Sequence, residues 1–178
     1  ILMSLFFWYN YLRFNDPFEY GFNYIQEAPY LQQLRQSSGI RSLANVPRNL
    51  WYMVGEIPSL SWEKHPILRF NLNGNSIFFL TPPFLAIFLA LPITKIKGKW
   101  QWQPYPALLW LAAIITIFPS LMHYASGWMQ FGYRYSLDIL VILIVLSLFG
   151  IKGKLNILYV LGIFFSVVMY TLGIYSLM

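Results

Sequence analysis

Three stretches of this chain, residues 70–94, 100–122 and 155–178, contain no Asp, Glu, Lys, Arg or His. Each is long enough for the roughly 20 helical residues that cross a hydrocarbon core. Runs of that kind cannot be sorted into the one-sided patterns of water-soluble helices and strands, so the solvent is mostly lipid. Composition agrees: 10% of residues are charged and 58% hydrophobic, against about 25% charged in soluble chains. Cysteine is absent, which excludes disulfides, thiolate metal sites and cysteine nucleophiles. With two histidines, His65 and His123, no metal site and no cofactor are expected.

A fourth uncharged run, residues 139–151, is only 13 residues long. With it the chain reads as an all-α polytopic membrane protein, with about four full transmembrane helices within residues 76–178. Residues 1–9 are apolar and aromatic but lack a basic flank and a small-residue cleavage site, which sets them apart from a signal peptide. They read as the end of a truncated fifth helix, and the chain as a fragment of a longer membrane protein.

The formal charge of +6 is unevenly placed. Residues 10–75 carry six basic and five acidic side chains, whereas Lys95, Lys97, Lys99, Lys152 and Lys154 fall in two short connections between apolar runs. Such placement sets topology rather than binding nucleic acid, so residues 95–103 and 151–154 read as cytoplasmic and residues 10–75 and 123–133 as extracytoplasmic, in a multi-pass protein of the plasma membrane. Trp8, Trp100, Trp102 and Trp128 lie at the expected span ends, where indole rings meet head groups. Pro82, Pro83, Pro92 and Pro119 lie in or near spans and imply either kinked helices around a cavity or simple end-capping.

Residues 10–75 are too long for a structureless connection and read as a mostly helical outer subdomain. Phe18, Tyr20, Phe22 and Tyr24 alternate with Glu19, Gly21 and Asn23, the period of a strand whose aromatic face either packs on helix ends or lines a sugar-sized groove. Residues 26–36 favour helix, closed by Ser37, Ser38 and Gly39. Pro47 starts a short helix to Glu56 with Leu50, Trp51 and Val54 on one side, suited to the membrane surface. Pro58 and Pro66 bound a segment holding Trp62, and residues 71–75 (NLNGN) form a loop.

The short fourth run gives about 20 Å of helix against a hydrocarbon core of about 30 Å. Lys152 and Lys154 can snorkel, so the deficit falls on the outer end, at Arg134 and Asp138. Four residues apart on an α-helix, these two share a face and can form an ion pair. Alternatively, Arg134 offers its fixed planar donors to a lipid-linked phosphate, with Asp138 orienting it, Tyr133 and Tyr135 beside it, and His123 and Tyr124 near the same pocket. Arg13, Asp16 and Glu19 form a second cluster, either a structural ion network or a contact for an acceptor or sugar. Glycine-rich phosphate loops, GxSxG, HExxH and DxD patterns are absent, and no catalytic residue can be assigned.

Residues 9–24 (YNYLRFNDPFEYGFNY), 46–53 (VPRNLWYM), 74–83 (GNSIFFLTPP) and 127–138 (GWMQFGYRYSLD) resemble the C-terminal part of bacterial GT-C type membrane glycosyltransferases, the glycosyltransferase family 39-like or mannosyltransferase-like proteins. The resemblance implies an enzyme that transfers a sugar from a polyprenyl-phosphate donor to an acceptor on the outer face, with its catalytic aspartate in a loop upstream of this chain. It implies a phosphate-binding role for the Arg134–Tyr135 pair. The partners it implies are membrane lipids, the lipid-linked donor and the N-terminal half of the same protein. A lipid or polysaccharide transporter and a non-catalytic membrane scaffold are the competing expectations.

Overall fold

The computed structural model describes residues 2–21, 24, 26–60, 68–96, 98–127 and 130–177. The expectations placed on Phe22, Trp62 and Trp128 lie outside these residues. The described chain is predominantly helical: α1 (Leu2–Phe14), α2 (Pro29–Ser38), α3 (Val46–Val54), α4 (Ile77–Leu80), α5 (Pro104–Leu121), α6 (Leu140–Gly150) and α7 (Ile157–Leu177). Two antiparallel pairs accompany them, β1 (Ser59–Leu60) with β2 (Leu68–Arg69) and β3 (Ile93–Ile96) with β4 (Lys99–Trp102).

Among the described residues two helices, not four, are long and apolar enough to cross a membrane: Pro104–Leu121, with mean hydropathy 1.6, and Ile157–Tyr175, with 2.2. Only 22% and 17% of these windows is buried, so neither is the enclosed central helix of a water-soluble fold. Large apolar side chains such as Leu158, Phe164, Leu108 and Ile115 stand exposed along both.

The run at residues 70–94 is not a span. Ser76 caps α4 by accepting the Phe79 N–H at 3.3 Å, but α4 stops after four residues at Thr81. Pro82 and Pro83 then supply no N–H, and the chain continues as a 3₁₀ helix over Pro82–Leu89. Beyond it the β3–β4 hairpin occupies the rest of the run, pairing Lys95 with Trp100 across the strands. The run at residues 139–151 also fails as a span. It begins inside a 3₁₀ helix over Arg134–Ile139 and contributes only the 11 residues of α6.

The core lies where the Pro82–Leu89 3₁₀ helix meets α6, with α5 and α7 alongside. Leu80, Ile87 and Leu146 are buried there. Ser147 donates its hydroxyl to the Pro83 carbonyl at 2.9 Å and accepts from the Tyr159 hydroxyl at 2.7 Å. This ties α6 and α7 to the backbone of the 3₁₀ helix. The backbones touch at Gly150, where an added Cβ would overlap the Ala86 carbonyl oxygen.

The aromatic alternation at residues 18–24 does not make a strand in the described residues. The Glu19 N–H turns back to the Asp16 carbonyl and the Tyr24 N–H to the Gly21 carbonyl, with Gly21 at φ +87°. The aromatic side chains pack on α1 instead: Phe18 on Phe7 at 5.2 Å, Tyr20 on Phe6 at 5.8 Å and Tyr24 on Phe14 at 5.2 Å. Packing on a helix is thus the outcome for the described rings, and α1 itself extends past Tyr9 to Phe14.

A Gly150→Ala substitution should destabilise the protein by about 1–3 kcal/mol, the usual penalty for overpacking. Reversible unfolding in mixed detergent micelles would measure it, with Val141→Ala, at an exposed position of the same helix, shifting the midpoint far less.

Candidate functional site

The segment that carries α2 and α3 meets the C-terminal end of α5, where the last carbonyls of any helix need donors from elsewhere. Asparagines supply them. Asn49, fully buried on α3, donates its amide N–H groups to the Leu121 carbonyl at 2.8 Å and the His123 carbonyl at 2.7 Å. Asn45 donates to the Met122 carbonyl at 3.2 Å, which also receives the Ser42 backbone N–H at 2.9 Å. Arg48 donates to the Tyr124 carbonyl. The buried face of α3 is therefore Asn49 and Met53, while Leu50, Trp51 and Val54 are exposed. The helix thus leaves an apolar stripe exposed and turns a polar stripe inward to seal a helix end.

A second junction uses Asn75 and Gln130. Asn75 donates to the Phe131 carbonyl at 2.6 Å and the Asn71 carbonyl at 3.0 Å. Gln130 donates to the Ser126 carbonyl at 2.8 Å and accepts the Arg134 backbone N–H at 3.1 Å, fixing where the 3₁₀ turn begins.

Around these junctions sit the candidate side chains. Tyr133 is buried beneath the site, and its hydroxyl has no hydrogen-bond partner among the described residues. Burial pushes that hydroxyl well above the usual tyrosine range, the neighbouring Tyr135 adding to the effect and Arg48 opposing it. Tyr135 lies edge-on to Tyr133 at 5.6 Å and tilted to His123 at 6.1 Å. The His123 ring nitrogen Nδ1 accepts the Ala125 N–H at 3.2 Å, and its backbone bridges to Arg41. Four of the expected residues, Tyr133, Arg134, Tyr135 and His123, thus belong to one neighbourhood.

Arg134 and Asp138 do not form the expected ion pair. The segment between them is 3₁₀, with three residues per turn, so residues four apart point about 120° away from each other instead of sharing a face. The Arg134 guanidinium lies 5.4 Å over the Tyr135 ring, and the Asp138 carboxylate accepts the Ser120 hydroxyl at 3.4 Å. Both are exposed. Among the described residues Arg134 has no carboxylate partner.

The second expected cluster is local. Arg13 stacks over the Phe14 ring at 4.8 Å and the Tyr9 ring at 5.3 Å. Asp16 accepts the Phe18 N–H at 2.8 Å and Glu19 the Gly21 N–H at 2.7 Å, each carboxylate holding its own turn. These contacts stabilise the turns that follow α1.

Sequence reasoning missed an enclosed ion pair. The Glu27 side chain, 5% exposed, pairs with Arg35 of α2 at 3.5 Å and accepts the Tyr124 hydroxyl. Desolvation and then this bond raise the Tyr124 pKa to about 12. A signal existed in the spacing of Glu27 and Arg35, eight residues apart at the start and within the expected 26–36 helix. Nothing along the chain, however, announced Tyr124 as the third member.

Replacing Asn49 with Ala should cost about 1–3 kcal/mol for the buried carbonyls left without donors, and Asn49→Asp should cost more by placing an acceptor against them. Unfolding midpoints of the two variants would rank them. Tyr124, whose folded pKa is raised, stabilises the fold below pH 10 and loses that contribution as pH rises through about 12. A Tyr124→Phe variant should therefore show a shallower decline in stability across that alkaline window. Comparison with protein-family models, with curated proteins and with solved structures finds no match for this chain.

Proposed function

We propose that this chain is a membrane portion of a GT-C type glycosyltransferase, and that Arg134 contacts the phosphate of a polyprenyl-phosphate sugar donor at the outer face of the plasma membrane. The observation that carries the reading is the state of Arg134. Its guanidinium is exposed, rests on the Tyr135 ring and is not neutralised by Asp138. A cation held by stacking keeps its planar donor set for an incoming phosphate. It also stabilises charge that develops on that phosphate when the sugar leaves.

The surroundings support the same role. Tyr135 and His123 supply ring surface next to the cation, and the asparagine junctions hold this corner against the end of a helix long and apolar enough to cross a membrane. In this reading α5 and α7 are spans, and the lysine-bearing residues 95–103 are cytoplasmic and residues 123–133 extracytoplasmic, at the two ends of α5. In this reading the catalytic base comes from the part of the enzyme upstream of this chain, as the resemblance implies.

Sugar transfer from a labelled polyprenyl-phosphate donor by the full-length enzyme tests the assignment. Arg134→Ala should lower transfer about 10- to 100-fold, the equivalent of about 1.5–3 kcal/mol for hydrogen bonds to a charged group. Asp138→Asn should have a much smaller effect, because Asp138 bonds Ser120 instead. Undiminished transfer by Arg134→Ala would overturn the proposal.

A further inference from the structure

A cleft of about 690 Å³ lies at the opposite end of α5 from Arg134. It falls within the roughly 300–1,000 Å³ typical of small-ligand sites. Its walls come from four separate places: the end of the Pro82–Leu89 3₁₀ helix, the first strand of the hairpin, the start of α5 and the end of α6 with its following turn. The lining is mainly apolar, with Leu89, Leu91, Leu148 and Phe149 all substantially exposed within it. Lys95 and Lys152 stand at the same cleft.

Three features fix the chemistry of what this cleft takes. Both lysines are exposed, and neither has a carboxylate partner among the described residues. The sole acidic residue after residue 69 is Asp138, which is bound to Ser120 at the far end of α5. Lys152 is also held in place: it and Gly153 adopt the left-handed conformation, at φ +53° and +65°, in a turn that the Gly153 N–H closes onto the Leu148 carbonyl at 3.0 Å. A non-glycine residue in that conformation is uncommon, and here it sits on the turn that carries a cation beside the apolar wall. Greasy walls with two unpaired ammonium groups at one end complement an anionic amphiphile.

We infer that this cleft binds an anionic glycerophospholipid of the surrounding bilayer, its phosphate between Lys95 and Lys152 and its acyl chains along Leu91, Leu148 and Phe149. The site is distinct from the Arg134 corner, and its occupancy does not depend on any sugar transfer. A bound lipid would cover the exposed leucines and seal the 3₁₀ helix against α6 from the lysine side.

The test is lipid retention by the full chain in nanodiscs of mixed phosphatidylglycerol and phosphatidylcholine, followed by detergent extraction and mass spectrometry of the lipid that stays bound. The wild type should retain phosphatidylglycerol preferentially, and each of Lys95→Gln and Lys152→Gln should reduce that preference about 5-fold. Lys152→Arg should restore most of it. Leu148→Trp, which keeps both charges but fills the cleft, should also abolish retention, whereas diffuse surface attraction would be unaffected. Millimolar inorganic phosphate should compete weakly if the acyl chains contribute, and fully if only a phosphate is bound. Equal retention of the two lipids by the wild type, full displacement by phosphate, or undiminished preference in Leu148→Trp would each overturn the inference. Helical content by circular dichroism confirms that the variants compared are folded.

Discussion

The close approach of the Pro82–Leu89 3₁₀ helix to α6 is the contact on which the other arrangements depend. It is a backbone-to-backbone contact at Gly150 and Ala86, sealed by a hydroxyl relay from Tyr159 through Ser147 to the Pro83 carbonyl. The small side chain at Gly150 permits van der Waals contact between the two backbones, and the hydroxyls of Ser147 and Tyr159 add hydrogen bonds across it. α7 joins the same contact through Tyr159 and through Gly162, which faces the Pro83 ring. α5 closes the other side, with the Trp110 indole donating to the Ala90 carbonyl where the 3₁₀ helix ends.

From that centre the outer segment is attached by amides rather than by grease. Asn45, Asn49, Asn75 and Gln130 each reach across from one segment to backbone carbonyls of another. An amide side chain carries donors and an acceptor on a short, uncharged arm, so it can close a helix end or a loop at the lipid boundary without the desolvation cost of a charge. The same economy leaves the charged residues at the margins. Arg134 stacks on an aromatic ring at the outer end, and Lys95 and Lys152 flank an apolar cleft at the other, separated by α5, whose 18 residues rise about 27 Å.

The contrast between the two ends follows from helix geometry. An α-helix through residues 134–138 would have paired Arg134 with Asp138 and neutralised both. The Gln130 side chain takes the Arg134 N–H and Ser136 binds back to the Tyr133 carbonyl, so the segment winds as 3₁₀ and parts the two side chains. The cation is left unneutralised by a change of about 20° per residue in helical winding.

Much was legible along the chain. The absence of charge over long runs, the lysines confined to two connections and a short helix starting at Pro47, observed as Val46–Val54, follow from residue chemistry alone, because proline geometry and charge act locally. α5 and α7 came directly from their apolar length. The number of spans did not, since Pro82 and Pro83 could have kinked a continuous helix and instead turned it into a 3₁₀ segment whose Pro83 carbonyl is bound by Ser147, 64 residues away. The faces of 134–138, the docking of the aromatic residues 18, 20 and 24 on α1, and the meeting of Glu27 with Tyr124 were likewise decided by tertiary contacts. The sequence alone determined which segments shun water and where the charge may sit. Which carbonyls are capped, which cations stay unpaired and how many helices reach span length were settled only when distant donors and acceptors were brought within hydrogen-bonding distance, because that matching is not encoded in any single stretch of residues.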